Sequence, residues 1–158
     1  MINLHNHTTY SDGRFEPEEI VRAALDAGLT HIGISDHFRT AKLGATAQYV
    51  IAEELDAAGI VPFTLTGSTA RYISQRRPRA PIFALTPDER TYRRLALVWG
   101  VRPVRLEMFG STDEMIERGQ KRLLELGVVS SGDVVVYVAG ASTSTPGGTD
   151  MLKIHRFP

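Results

Sequence analysis

Short apolar runs alternate along this chain with stretches in which apolar residues recur at helical spacing. That alternation predicts an α/β domain with a mainly parallel sheet, because each crossover between parallel strands needs a helix to cover it. "INLH" predicts a strand and "PEEIVRAALDAGL" a helix: Pro17 suits the first turn, Ile20, Val21, Ala24 and Leu25 share a face, and Gly28 stops it. "HIGIS" is the next predicted strand. A helix over roughly Thr46 to Ala58 leads through Gly59 into the strand "IVPFT", and "GSTARYISQRR" predicts a short helix stopped by Pro78.

After the predicted strand "PIFAL", the phrase "TPDE" reads as a helix start, with Thr86 as N-cap, Pro87 first in the helix, Glu89 as capping-box partner and Gly100 as the end. "PVRLE" predicts another strand. Ser111 and Glu114 form a second capping-box pattern, Met115, Ile116, Gly119 and Leu123 fall on one helix face, and Gly127 ends that helix. "VVVYVA" is so uniformly apolar that it predicts a central strand buried on both faces. The loop "GASTSTPGGTD" is too short for a helical crossover, so "MLKIHRF" is expected to run antiparallel to its predecessor. The fold expected is a three-layer αβα sandwich, its sheet mainly parallel with an antiparallel C-terminal edge strand, in a single domain over residues 1–158.

Composition narrows the function classes. Eighteen basic residues balance eighteen acidic ones, which leaves no field to recommend a nucleic acid or a membrane as partner, though a local site for a small anion needs no net charge. The absence of cysteine excludes disulfide and thiol chemistry and suits a reducing compartment. No run approaches the ~20 apolar residues of a membrane helix, and "MINLHNH" lacks the regions of a signal peptide. A soluble, cytoplasmic protein is expected.

Two phrases carry candidate chemistry. In "LHNHTTYSDG", His5 and His7 are two apart and so share one side of a strand, while Asp12 follows in the next loop; "SDH" places Asp36 and His37 at the end of the following strand. Imidazole and carboxylate suit zinc, manganese or nickel, held weakly at His5, His7, Asp12 and His37. Residues 1 to 38 resemble the opening of the polymerase and histidinol phosphatase (PHP) family, metal-dependent phosphoesterases on a distorted β/α barrel. The resemblance implies that His5 and His7 ligate one metal while Asp12 and His37 help hold another. The glutamate and later histidines that complete that family's site have no counterpart here, and the only histidine after His37 is His155.

The second phrase is "TLTGSTA". A strand that enters a helix through Thr, Ser and Gly points N–H groups and the positive helix end at one spot, which suits phosphate and equally serves plain N-capping. The lysine and glycine spacing of a nucleotide-binding loop are absent. "GSTAR", "RPRAPI", "TPDERTYRRLALVWGV" and "GDVVVYVAG" in succession resemble the C-terminal regulatory domain of pyruvate kinase over about residues 45 to 158. The resemblance implies an effector phosphate loop at Thr64, Thr66, Gly67, Ser68 and Thr69, faced by a glycine-rich loop with Gly147 and Gly148. Leu65 stands where effector-binding members often carry lysine, which points to phosphate, sulfate or a simple sugar phosphate; Arg71, Arg76, Arg77 and Arg79 stand nearby, either as helpers or, as is commoner beside an "RP" turn, as a solvated face. It also implies that the kinase machinery belongs to a barrel domain absent from these residues.

The two resemblances meet near residues 39 to 45, between whole secondary-structure units, and this predicts a natural or engineered chimera: a PHP-like βαβ segment over 1–40 joined to a pyruvate-kinase-like segment over 45–158. The expected function is a non-catalytic α/β domain that keeps a phosphate-type anion site and a partial metal site; the alternative is a metal-dependent phosphoesterase. The strands of the opening segment have edges that must be covered, either within one sheet, the arrangement expected, or by strand exchange in a homodimer.

Overall fold

A computed structural model describes residues 2–6, 14–27, 31–34, 51–139 and 151–158. Its elements in chain order are β1 (Ile2–Asn6), α1 (Pro17–Asp26), β2 (His31–Ile34), β3 (Gly59–Pro62), α2 (Ser68–Gln75), β4 (Ile82–Thr86), α3 (Glu89–Leu95), β5 (Val101–Arg105), α4 (Thr112–Glu125), β6 (Val134–Ala139) and β7 (Met151–Arg156), and residues 51–54 are also helical.

The strands form one mixed sheet in the order β1-β2-β7-β6-β3-β4-β5. Every neighbouring pair is parallel except the two that involve β7. The antiparallel course of β7 against β6 follows from the short connection, as expected. Its far edge is covered rather than open: β2 pairs along it, with His31 opposite His155 and Ile34 opposite Leu152. Thus β2 and β1 continue the sheet from the edge of the block β7-β6-β3-β4-β5. The opening strands join the one sheet as expected, but through β7; β2 and β3 are separated by β7 and β6.

Alternation along the strands sorts side chains between two cores. On one face Ile60, Ile82, Ala84, Val136, Val138, Leu152 and Ile154 pack with Ile51, Ala70, Ile73 and Leu95, and Ile20 of α1 adds to them. On the other, Val61, Phe83, Leu85, Val135, Tyr137 and Phe157 pack with Met115, Ile116 and Leu123 of α4. The result is the three-layer α/β sandwich. β6 is buried along almost its whole length, as its composition predicts. The buried face of α4 is Met115, Ile116, Gly119 and Leu123, the set given by helical spacing. At Gly119 α4 packs closely on the sheet: a Cβ there would lie 3.0 Å from Leu85 Cδ1 and 3.3 Å from Tyr137 Cε1.

Three local expectations shift. The N-cap of α3 is Asp88, not Thr86: Thr86 is still the last residue of β4, and the Asp88 carboxylate accepts the Thr91 N–H at 2.6 Å, while Thr86 Oγ1 accepts from Asp88 N. Ser111 does cap α4 through Glu114 N, but the Glu114 carboxylate reaches back to Gly110 N at 2.7 Å rather than to the cap residue itself. The helix before β3 gives way to a turn at residues 55–56, where Asp56 has φ +46°, so it ends before Ala58, whose N–H is already bonded to Val134 O. The predicted stop at Gly28 lies outside the described residues.

Candidate functional site

From β3 the chain steps through α2, β4, α3 and β5 toward one end of the sheet, then α4 carries it back to β6 on the other side of β3. Neighbouring strands whose connections diverge leave a crevice at their carboxyl ends, the usual ligand position in open α/β sheets. Here those strands are β3 and β6. Phe63 N donates to Val138 O at 2.7 Å and Thr64 N to Leu85 O at 3.0 Å, so the ladder holds the backbone up to Thr64, where it leaves the sheet.

The departing loop is built by its own side chains. Buried Thr64 accepts the Gly67 N–H on its hydroxyl at 2.9 Å, a local turn that threonine forms readily. Gly67 takes φ +82°, a left-handed conformation that costs glycine little, and α2 starts at the next residue. The N-cap residue of α2, Gly67, has no side chain to accept from the first turn, whereas Asp88 and Ser111 cap the next two helices. The first turn of any helix has N–H groups without intrahelical acceptors and carries the positive end of the dipole. Thr66 is exposed and Ser68 half-buried, with their hydroxyl oxygens 3.1 Å apart; Thr69 is buried.

Helix α3 supports this loop from below. Its buried residues Thr91 and Leu95 are one turn apart on one face. Thr91 Oγ1 donates to the Leu65 carbonyl at 2.8 Å, and Leu95 Cδ2 would be 3.2 Å from a Cβ at position 67. The Asp88 carboxyl is held below the usual carboxylate range by the Thr91 N–H first, and by the Thr91 hydroxyl second. A hydroxyl has one hydrogen, and its direction toward Leu65 O leaves the N–H as the main cause.

Of the four arginines near the loop in sequence, two are engaged elsewhere. Arg79 pairs with Glu53 at 3.0 Å, and the Arg77 guanidinium lies over the Trp99 ring, 5.6 Å from its centroid. Arg71 reaches the loop: its Nη1 would be 3.4 Å from a Cβ at Gly67. Of the expected metal ligands, His5 belongs to β1, and His7, Asp12 and His37 lie outside the described residues, as do Gly147 and Gly148. Among the described residues no three His, Asp, Glu or Cys side chains cluster to hold a metal. His155 is buried in β7 between Tyr137 and Phe157, ring centroids 5.9 and 5.3 Å away, and belongs to the core.

Sequence reasoning missed Thr91 and Leu95. Their link to the loop spans 26 residues from Thr91 to Leu65, and no local pattern marks it. The available signal was weak: a Thr and a Leu four apart on an amphipathic helix, one of them polar on a face that ought to be apolar.

Comparison with known proteins places most of the chain. Residues 44–155 match the family model "Pyruvate kinase, alpha/beta domain". A pyruvate kinase of Clostridium acetobutylicum is 48% identical over 103 residues, which cover 65% of this chain and 22% of that protein. Pyruvate kinases of Staphylococcus epidermidis and Staphylococcus aureus are 44% and 43% identical over 104 residues, 66% of this chain and 18% of theirs. The aligned residues thus span about a fifth of these relatives. Residues 1–43 lie outside the family match.

Proposed function

Since the chain belongs to the pyruvate kinase alpha/beta domain family, we propose that it is a non-catalytic module of regulatory type that binds a phosphate-type anion at residues 64–69. The observation that carries this reading is the N-terminus of α2, entered through left-handed Gly67, which brings no capping side chain, at the carboxyl end of β3, beside β6. Phosphate, sulfate or a sugar phosphate would take N–H groups of the first turn, the hydroxyls of Thr66 and Ser68 and the charge of Arg71. Gly147 and Gly148, which follow β6 in sequence, are proposed as further contacts to the anion. Phosphoryl transfer to pyruvate is assigned outside these residues. Calorimetric titration with inorganic phosphate and with fructose bisphosphate tests the reading. Saturable heat and a raised Tm are expected, and neither heat nor stabilisation at millimolar ligand sinks it.

The opening segment supports a second, separate reading. β1 and β2 are parallel, so their last residues, Asn6 and Ile34, lie at the same end of the sheet, and His7, Asp12 and His37 follow those strands in sequence. A weakly held divalent cation in this segment, and with it a PHP-type phosphoesterase activity, is decided by zinc titration and by p-nitrophenyl phosphate turnover with manganese. A His5→Ala/His7→Ala variant that matches the parent in both ends that reading.

A further inference from the structure

We infer that Thr91 is a positioning residue for the loop at 64–68: it fixes the peptide between Leu65 and Thr66 so that an N–H, and not a carbonyl, faces an arriving anion. The inference rests on the anion reading above for its ligand, and on geometry for its mechanism. A peptide unit is planar and trans, so its C=O and N–H point in opposite directions. The Thr91 hydroxyl holds the Leu65 carbonyl toward α3 at 2.8 Å, which turns the Thr66 N–H to the side away from α3. Without that bond the carbonyl loses its partner and the peptide is free to turn. A carbonyl oxygen aimed at a phosphate repels it, whereas an N–H adds to the donors of the first turn of α2.

Thr91 is itself well fixed. Its N–H is taken by the Asp88 cap, it is buried in α3, and Leu95, one turn later, lies under Gly67. The neighbouring peptide is fixed independently by Thr64, whose hydroxyl accepts the Gly67 N–H. Two threonine hydroxyls therefore hold the loop from opposite polarities: Thr64 accepts from an N–H, and Thr91 donates to a C=O. Removing Thr91's donor leaves Thr64 and Gly67 as partners but frees the adjoining 65–66 peptide, so the Gly67 N–H should open to solvent more often.

The test compares the full chain with Thr91→Val, Thr91→Ala and Thr91→Ser, using inorganic phosphate as probe in calorimetry and amide hydrogen exchange without phosphate. Val and Ala should weaken phosphate binding by roughly 3- to 10-fold, the loss of one hydrogen bond, and should speed exchange at Gly67. Ser, which keeps the donor, should restore both. Equal phosphate affinity in all four proteins overturns the inference, and so does a Ser variant as weak as Val, because the role would then belong to packing. If the parent chain gives no phosphate heat, the anion reading falls. Exchange then decides Thr91 alone: faster exchange in Val and Ala but not in Ser upholds its hold on the loop, and unchanged exchange refutes it.

Discussion

Replacing Gly67 by alanine should destabilise the domain through two separable costs. The first is conformational: an L-residue in the left-handed region costs about 1–2 kcal/mol, offset by about 0.4–1 kcal/mol because alanine has less freedom to lose on folding. Gly127, at φ +62° with no atom within 4 Å of an added Cβ, isolates this cost, and Gly127→Ala should lose roughly 0.5–1 kcal/mol. The second cost is steric. At position 67 the new Cβ would lie 3.2 Å from Leu95 Cδ2 and 3.4 Å from Arg71 Nη1. The arginine is exposed and can move away; Leu95 is fully buried and cannot, so overpacking adds about 1 kcal/mol. The total of about 2 kcal/mol corresponds to a fall in Tm of roughly 4–8 °C for a chain of this size. Urea unfolding of both variants measures the difference, with unchanged slopes showing that only stability moved. Gly67→Ala combined with Leu95→Ala should lose less than the sum of the single changes, because the second removes the atom the first collides with. Equal losses for Gly67→Ala and Gly127→Ala would refute the contact with Leu95, and a neutral Gly67→Ala would refute the left-handed assignment.

Two other predictions follow from buried and capping groups. The Tyr137 hydroxyl is fully buried with no hydrogen-bond partner among the described residues, and burial pushes its pKa far above the usual phenol value; Tyr137→Phe should therefore keep or raise stability, by up to about 1 kcal/mol, and a clear loss in urea unfolding would reveal a further partner. The carboxyls of Asp88 and Glu114 are held below their ordinary values of 3.8 and 4.5, chiefly by the N–H groups of Thr91 and Gly110. A depressed folded pKa gives stability that is present above the unfolded value and lost as pH falls through the folded one. Urea midpoints should therefore drop below about pH 4, with a shallower drop in Asp88→Asn and Glu114→Gln; an unchanged acid limb in both variants counts against these caps.

Much of the candidate site was legible locally. The loop "TLTGSTA" announces itself because a strand, a Thr/Ser/Gly turn and a helix are each set by neighbouring residues, and Gly67 then has the left-handed backbone such a turn needs. The capping phrase "TPDE" was misread by two residues because threonine and aspartate are both good caps. Which one serves depends on where β4 stops pairing with β5, and Thr86 is still opposite Arg105. The contribution of α3 was invisible for a related reason, since a polar residue on a buried face has meaning only beside its partner.

Periodicity, caps and glycines along the chain determined that strands and helices alternate, that β6 is central, that β7 must turn back antiparallel, and which face of α4 is buried. These follow from interactions between residues a few positions apart. Only the tertiary structure decided that β2 pairs along β7, that β3 and β6 are the strands whose connections diverge, and that Thr91 and Leu95 lie under the loop at 64–68. Strand order and cross-element contacts depend on which edges and faces meet once the chain has folded, and a pattern of apolar spacing is the same for several such arrangements.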